Sequence, residues 1–385
     1  MEKKLIFLPV IFLFFCCVYT IVIVILSRGL QSLRVYNEKE ENTFSVVIAA
    51  RNEQAILRSC LDSILQQTIS TSRYEVVLVN DRSTDNTLDI ANEYAAKYPN
   101  FIVRNIETVT AGVSPKKNAV SQGVGVSSKE IIVFTDADCV VPPEWLATIN
   151  QTFTASTGLV QGITRYAHVP EMNQVFWGLQ SLDFLSHGIV AAAAIGAGIP
   201  LNSNANNFAF RKDAFLEIGG YGRSAGNVVS GDDDLLLQKI WKSKKWAIRF
   251  MVNDCGLVST LPTNTIKGVF EQRKRWGSKT VHYNAIQVAM LSGIFLFYLS
   301  IIISFCIAVF SLPFLYWGLG MIALKVSGEA SLLIPGTRIF KQKNLRCYII
   351  PASLIQLPMV VGAVFLGVFG KFNWKDQKFS RKVRR

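Results

Sequence analysis

Leu5–Leu26 contains no charged residue, and no other feature narrows the possible folds of this chain as much. Crossing a bilayer takes about 20 consecutive apolar residues, so this run is long enough to span one. Ala285–Leu324 is a second uncharged block, with room for two helices and Pro313 near the turn between them. Cys347–Gly370 is a third, interrupted by Pro351 and Pro358. Lys3 and Lys4 precede the first block, as in a cleaved leader. Its unbroken length and the lack of a small-residue cleavage site favour a retained anchor.

Between the first two blocks lies a long stretch of mixed composition, enough for one sizeable water-facing domain. The expected organisation is an anchor at 1–30, a cytosolic globular domain at 43–280, a membrane region of two to three helices at 285–370 and a basic tail at 371–385. The formal charge of +13 invites a nucleic-acid reading. Much of the excess, however, flanks apolar blocks: Lys325, Arg338, Lys341, Lys343 and Arg346 stand against Glu329 alone, and the tail 371–385 carries seven basic residues against Asp376. Basic flanks of that kind mark the cytoplasmic face and bind anionic headgroups, so membrane topology explains the charge and no nucleic-acid partner is expected. Four simple crossings would put the basic tail opposite the large domain, so the helix count stays open here. The cysteines at 16, 17, 60, 139, 255, 306 and 347 have no metal-ligand spacing and no disulfide pattern. Cys139 reads as a small buried hydrophobe.

The middle stretch alternates strand and helix. Thr43–Ala49, Glu75–Val79, Phe101–Ile106 and Ile131–Thr135 read as strands. Between them fall an apolar helix face at Ile56, Leu57, Cys60, Leu61, Ile64 and Leu65, a helix running to about Lys97 and a short one at Lys116–Ser127. Asn52 is the expected cap of the first helix, and Ser83 or Thr84 of the second. Such alternation predicts a parallel sheet covered on both faces. After Pro142-Pro143-Glu144-Trp145 the pattern changes: Glu171–Ala194 reads as one long helix, and Gly219, Gly220, Gly222 and Gly226 point to a loop-rich second half.

The fourth strand ends on Asp136 and Asp138, which alternation along an extended backbone would project to one side. Ligands gather beyond the carboxyl ends of such sheets. Paired hard-oxygen donors there suit Mg²⁺ or Mn²⁺ carrying a diphosphate, although acidic pairs at strand ends are often only solvated turns. Asp232, Asp233 and Asp234 precede Leu235-Leu236-Leu237. They either open a helix whose dipole favours them or carry chemistry that a neighbouring cation or raised pKa makes tolerable. Gln272, Arg275 and Trp276 share one helical face at i, i+3 and i+4, offering an apolar plate and a phosphate fork. A charged helix lying on a membrane surface would look the same.

Taken in order, Ser45-Val-Val-Ile-Ala-Ala-Arg-Asn-Glu53, Val79-Asn-Asp-Arg-Ser-Thr-Asp-Asn-Thr87, Asp136-Ala-Asp138, Gly231-Asp-Asp-Asp-Leu235 and Gln272-Arg-Lys-Arg-Trp276 resemble the membrane-bound inverting glycosyltransferases of family 2. These include cellulose, chitin and hyaluronan synthases and smaller membrane relatives. The resemblance implies an α/β fold of the GT-A kind, a Rossmann-like nucleotide-diphospho-sugar transferase domain, joined to transmembrane helices. It implies that Ala49, Ala50, Arg51, Glu53, Asp81, Lys116, Lys117 and Asp136 bind a nucleotide sugar, UDP-linked in the first instance. Asp138 then ligates Mg²⁺ or Mn²⁺, and Asp233 is the general base. Asp232, Gln272, Arg275 and Trp276 serve the acceptor or the diphosphate. Asp85 reads as a helix cap. Ala49 stands where the family carries proline, Pro115 where it carries glycine, and Asp232 where it carries glutamate. Lys116 and Lys117 are equal candidates for the phosphate contact. The acceptor is a polysaccharide or a lipid, and the expected location is a bacterial cytoplasmic membrane. The competing reading is a non-catalytic membrane subunit that keeps the fold and binds a nucleotide or partner.

Overall fold

The structure is a computed structural model and describes residues 7–108, 114–221, 232–277, 283, 285–369, 371–374 and 377–380. Gly222, Gly226 and Gly231 lie outside these, as do residues 375, 376 and 381–385 of the basic tail. The elements in chain order are α1 (Leu8–Gln31), β1 (Phe44–Ala50), α2 (Leu57–Leu65), β2 (Tyr74–Asp81), α3 (Thr87–Lys97), β3 (Phe101–Ile106), α4 (Pro115–Val126) and β4 (Ile131–Asp136). There follow β5 (Cys139–Val140), α5 (Trp145–Thr152), β6 (Thr157–Gln161), β7 (Thr164–Tyr166), α6 (Gln174–Gly196), β8 (Phe208–Arg211), α7 (Lys212–Glu217) and α8 (Asp232–Ser243). The chain continues through β9 (Ala247–Phe250), β10 (Val258–Thr260), α9 (Ile266–Gly277), α10 (Ala285–Ala308), α11 (Pro313–Ile339), α12 (Ile349–Phe369), β11 (Lys371–Trp374) and β12 (Gln377–Ser380).

Two compact units divide the chain. The sheet unit holds Gln31–Val169 and Phe184–Pro262. Its seven-stranded sheet has the order β3-β2-β1-β4-β8-β6-β9. β1 to β4 run parallel, with Ala49 beside Asp136 and Ala50 beside Asn80 in register, while β8 is antiparallel to both β4 and β6. The β-branched strands are buried on both faces, as the alternating strand–helix pattern predicts. Val46, Ile48, Val76, Leu78 and Val133 pack with Leu57, Leu61, Ile90 and Trp145 on one face. Val47, Val77, Val79, Ile132 and Phe134 pack with Val120, Leu236, Leu237 and Ile240 on the other. On that second face α4 approaches at glycine distance, since a Cβ on Gly123 would stand 2.4 Å from Val47 Cγ1. A smaller sheet of order β5-β10-β7 lies beside the site described below.

Two capping expectations are corrected. Asn52 does not cap α2; its backbone sits at φ 55°, and its Oδ1 accepts from Thr84 N at 2.8 Å. α3 starts at Thr87, beyond Ser83 and Thr84, and Asp85 Oδ1 accepts from Thr87 N at 3.0 Å. The reason is tertiary, because the loops after β1 and β2 are laced to each other. Asn52 N donates to Ser83 Oγ, Glu53 N to Thr87 Oγ1, Gln54 N to Asp85 Oδ2 and Asn86 N to Gln54 Oε1.

The helical unit holds Met1–Leu30, Pro170–Asp183 and Thr263–Arg385. Its core joins Phe12, Tyr19, Phe297, Tyr298, Ile301, Phe314, Met321 and Leu357. Pro313 occupies the first turn of α11, where its missing N–H costs nothing, so the second apolar block is two helices. α11 continues past Leu324, through Lys325 and Glu329, to Ile339. Among the described residues five stretches are long and apolar enough to cross a membrane: α1, α6, α10, α11 and Lys343–Gly362. The segment Thr263–Gly277, read from sequence as part of the globular domain, groups with the helical unit.

Candidate active site

The carboxyl edge of the parallel strands collects most of the singled-out residues in the sheet unit. Ala49 and Ala50 end β1, Asn80 and Asp81 end β2, and Asp136 ends β4. Arg51 and Glu53 fall in the turn after β1 that the lacing fixes. Asp81 is buried, and its carboxylate accepts from the guanidinium of Arg82, whose backbone lies at φ 54° (Nε to Oδ1 2.8 Å). A base N–H reaching Asp81 would therefore share that carboxylate with Arg82. Asn80 is also buried; its Nδ2 donates to Asn105 Oδ1 at 2.8 Å, and its own Oδ1 has no hydrogen-bond partner.

The two lysines opening α4 differ in kind. Lys116 Nζ lies 2.9 Å from Asp136 Oδ1. Lys117 is 1% exposed. Lys116 is the more exposed of the two and is ion-paired at the end of β4.

Strand alternation does not set the Asp pair. β4 stops at Asp136, and Ala137 and Asp138 form a turn. Asp136 goes to Lys116, whereas Asp138 Oδ2 accepts from Thr260 Oγ1 of β10 at 3.2 Å. Burial, and then the Asp136 charge, push the Asp138 carboxyl above its ordinary range. A cation would relieve both penalties. The donors are carboxylate oxygens, the type that Mg²⁺ and Mn²⁺ take. Among the described residues no cluster of three or more His, Cys, Asp or Glu could hold an ion alone. The residues therefore fit an ion that completes its shell with phosphate oxygens and water. Cys60 and Cys139 flank the pair, but burial, then the charges of Asp138 and Asp136, raise both thiols well above the ordinary thiol range. Neither is poised as a nucleophile.

The acidic triplet opens α8, and two of its members have definite partners. Asp233 Oδ2 accepts from Ala205 N at 2.9 Å and its Oδ1 from Asp234 N at 2.8 Å. Asp234, wholly buried, accepts from Ser203 N at 2.5 Å. The 203–207 segment that receives these acids is anchored to β4 on its other side. Thr135 Oγ1 donates to Asn206 O at 3.0 Å, and Asn206 Nδ2 to Cys139 Sγ at 3.2 Å. Asn207 is locked by Trp145 Nε1 at 3.0 Å and by the carbonyls of Ile163 and Gly256. Asp233 and the end of β4 are therefore joined through a single 3₁₀ turn, Ala205–Asn207.

Asp232 begins α8. Gln272, Arg275 and Trp276 lie on α9, in the helical unit. Sequence reasoning missed Thr260, Asn206 and Gln54, gave Ser83 a capping role in place of its bond from Asn52 N, and gave Thr87 no role beyond its place in a motif. Each acts across long sequence separation, and no local pattern announces it.

Residues 41–278 match the family described as "Glycosyltransferase like family 2". The chain is 36% identical over 104 residues to a poly(ribitol-phosphate) beta-glucosyltransferase of Bacillus spizizenii, covering 26% of this chain and 16% of that one. It is 24% identical over 252 residues to a poly-beta-1,6-N-acetyl-D-glucosamine synthase of Staphylococcus epidermidis, covering 64% and 57%. The chain thus spans less than two thirds of the length of these curated relatives. The structure is similar to the mannosyltransferase PcManGT from Pyrobaculum calidifontis, solved in complex with GDP-Man and Mn²⁺. The TM-score is 0.56 and the identity 17%, over 91% of this chain and 98% of the other. That likeness shows a GT-A type of fold. With the match extending over residues 41–278, the chain belongs to glycosyltransferase family 2.

Proposed function

We propose that the protein is a membrane-bound inverting glycosyltransferase that moves a sugar from a nucleotide sugar, with UDP as the first candidate, to a hydroxyl of a lipid or polysaccharide. The observation that carries this reading is the 203–207 bridge, which ties Asp233 to the strand end bearing Asp136 and Asp138. The family membership and the five membrane-length helices agree with it. On this reading the catalytic domain faces the cytosol at a bacterial cytoplasmic membrane.

Ala49, Ala50, Arg51, Glu53 and Asp81 hold the nucleoside, Lys116 the diphosphate, and Asp136 the ribose or the Lys116 ammonium. Asp138 holds Mg²⁺ or Mn²⁺; when bound, the ion neutralises charge on the leaving diphosphate. Asp233 accepts the proton of the incoming alcohol. Backbone N–H groups of Ala205 and Asp234 hold its two oxygens and so fix the direction in which the carboxylate faces. The acceptor oxygen then bonds to the anomeric carbon as the bond to the diphosphate oxygen breaks, the nucleoside diphosphate leaves with that electron pair, and configuration inverts. Asp232, Gln272, Arg275 and Trp276 serve the acceptor or the diphosphate, an assignment that rests on the motif rather than on distances.

Membranes carrying the protein are incubated with a panel of radiolabelled nucleotide sugars and Mn²⁺ or Mg²⁺, and label is separated into chloroform-soluble and insoluble polymer fractions. Transfer is expected with one donor and is lost in Asp138→Ala and Asp233→Asn. Absence of transfer with every donor, or full activity in either variant, refutes the reading.

A further inference from the structure

α9 carries Gln272, Arg275 and Trp276, and the residue between them in sequence, Arg273, has a different set of partners. Its guanidinium is an ion-pair partner of Asp183 on α6, and both side chains are largely buried, at 8% and 11% exposure. The same guanidinium donates from Nη1 to Gln272 Oε1 at 3.1 Å and lies 4.2 Å from the Trp276 ring centroid. One turn earlier on the same face of α6, Gln180 grips the residue leading into α9. Gln180 Nε2 donates to Thr263 O at 3.2 Å, and Thr263 N donates to Gln180 Oε1 at 3.1 Å. All these residues belong to the helical unit.

A planar guanidinium cannot change its tilt without disturbing every group it touches. Here a single fork contacts the carboxylate of Asp183, the amide of Gln272 and the indole face of Trp276. The direction in which Asp183 holds the fork therefore sets the attitude of two of the three motif side chains. Lysine at 273 would keep the charge but could not bond and stack in one plane. Gln180 fixes the entry of the helix and Asp183 its middle, a two-point attachment that stops α9 from rolling. The i, i+3 spacing of Gln180 and Asp183 is what lets one face of α6 reach both points.

We propose that Asp183 is a positioning residue for the Gln272–Arg275–Trp276 motif, acting through Arg273. The inference rests on the reading of that motif as acceptor or diphosphate machinery, and it names a residue outside the motif on which the motif depends.

The test uses the full chain in detergent micelles with Asp183→Asn, Asp183→Glu, Arg273→Lys and Arg273→Gln. Hydrogen exchange of peptides covering 266–277 is read beside transfer kinetics and nucleoside-diphosphate binding. Exchange in α9 is expected to rise in Asp183→Asn. The kcat falls about ten- to hundredfold, the scale of a small misplacement of reacting groups, while nucleoside-diphosphate affinity holds. Arg273→Lys is expected to be as impaired as Arg273→Gln. If Asp183→Asn does not fold, Asp183→Glu replaces it, because it keeps the charge and displaces the fork by one methylene. Unchanged exchange in α9, wild-type kcat in Asp183→Glu, or rescue by Arg273→Lys overturns the inference. Absence of transfer by the wild type counts instead against the proposed function, and the exchange measurement still decides whether Asp183 holds α9.

Discussion

Lys116→Met separates the fold from the chemistry at the sheet edge. In the structure Lys116 Nζ stands 2.9 Å from Asp136 Oδ1, with the two side chains 22% and 30% exposed. A pair this open to solvent contributes only about 0.2–1 kcal/mol to stability. Methionine keeps the length of the stem and its packing, so the melting temperature should move by a few degrees at most. The effect on ligand affinity is larger. A lysine that turns from Asp136 to a phosphate oxygen makes a charge-assisted hydrogen bond worth about 1.5–3 kcal/mol. Part of the Asp136 pair is given up in exchange. The net loss in the variant is then about 2 kcal/mol, or roughly thirtyfold in Kd.

The assay is calorimetric titration of UDP into the purified full chain in detergent with Mn²⁺ present, at low and moderate salt. The gap between wild type and variant should narrow as salt rises, because the contact is partly exposed and screened. Lys117→Met, altering a side chain that lies inside the fold, should leave affinity near the wild-type value. An unchanged dissociation constant in Lys116→Met at low salt, with the fold intact, would refute the assignment of the diphosphate to this lysine. A larger loss in Lys117→Met would reverse the two roles.

Three other outcomes follow from named contacts. Asp233→Asn removes a proton acceptor and should lower kcat by about 10²–10⁴-fold; its one amide oxygen can take the Ala205 N–H or the Asp234 N–H but not both, so melts should also show a loss of about 1–3 kcal/mol. Glu75 is buried, which alone would raise its pKa, but hydrogen bonds from Ser128 and Ser45 outweigh this and hold it below the ordinary glutamate value. A depressed carboxyl stabilises the fold above its unfolded pKa of about 4.3 and loses that contribution as pH falls through the folded value. Thermal melts between pH 3 and 6 should therefore show a steeper acid loss in the wild type than in Glu75→Gln. Lys325, fully buried in α11, donates to Glu329 at 2.5 Å, Ser353 O at 2.8 Å and Gln356 at 3.1 Å. Lys325→Met should cost about 3–5 kcal/mol by stranding Glu329, and adding Glu329→Gln should restore most of it in detergent melts. Equal melting of the single and double variants would refute the pairing.

The sheet was legible because strand and helix alternate with different periods. Phe101–Ile106 was read to the residue, and β4 missed only its terminal Asp136. Local rules failed where a side chain had a better distant partner. Asn52 carries the composition of a helix cap, yet its carbonyl oxygen serves Thr84, thirty-two residues away. The Asp136–Asp138 pair is visible in the sequence, but the extended backbone that would project both to one side ends at Asp136, and the turn sends Asp138 to Thr260 instead. Hydropathy ended the second apolar block at Leu324 because Lys325 and Glu329 follow. Paired inside the helical core, they let α11 run on to Ile339, and a composition window sees the charges but not the bond. The basic character of α9 could not say which unit it joins, since a solvated helix and one held by a buried Asp183 have the same sequence signature.

Three adjacent acids at the start of a helix pose a question that the hydrogen bonds answer. Asp234 is committed to Ser203 N and Asp233 to Ala205 N, so two of the charges are met by backbone dipoles as well as by the helix terminus. This tolerance has a geometric consequence. The segment that neutralises the acids is the one Thr135 and Cys139 hold against the end of β4, and Trp145 fixes it through Asn207. Between the end of β4 and Asp233 the chain of contacts is short: Thr135 Oγ1 to Asn206 O, and Ala205 N to Asp233 Oδ2. The stability of the acidic triplet and the placement of its one proposed base are therefore the same structural fact, and a substitution that loosens 203–207 should weaken both together.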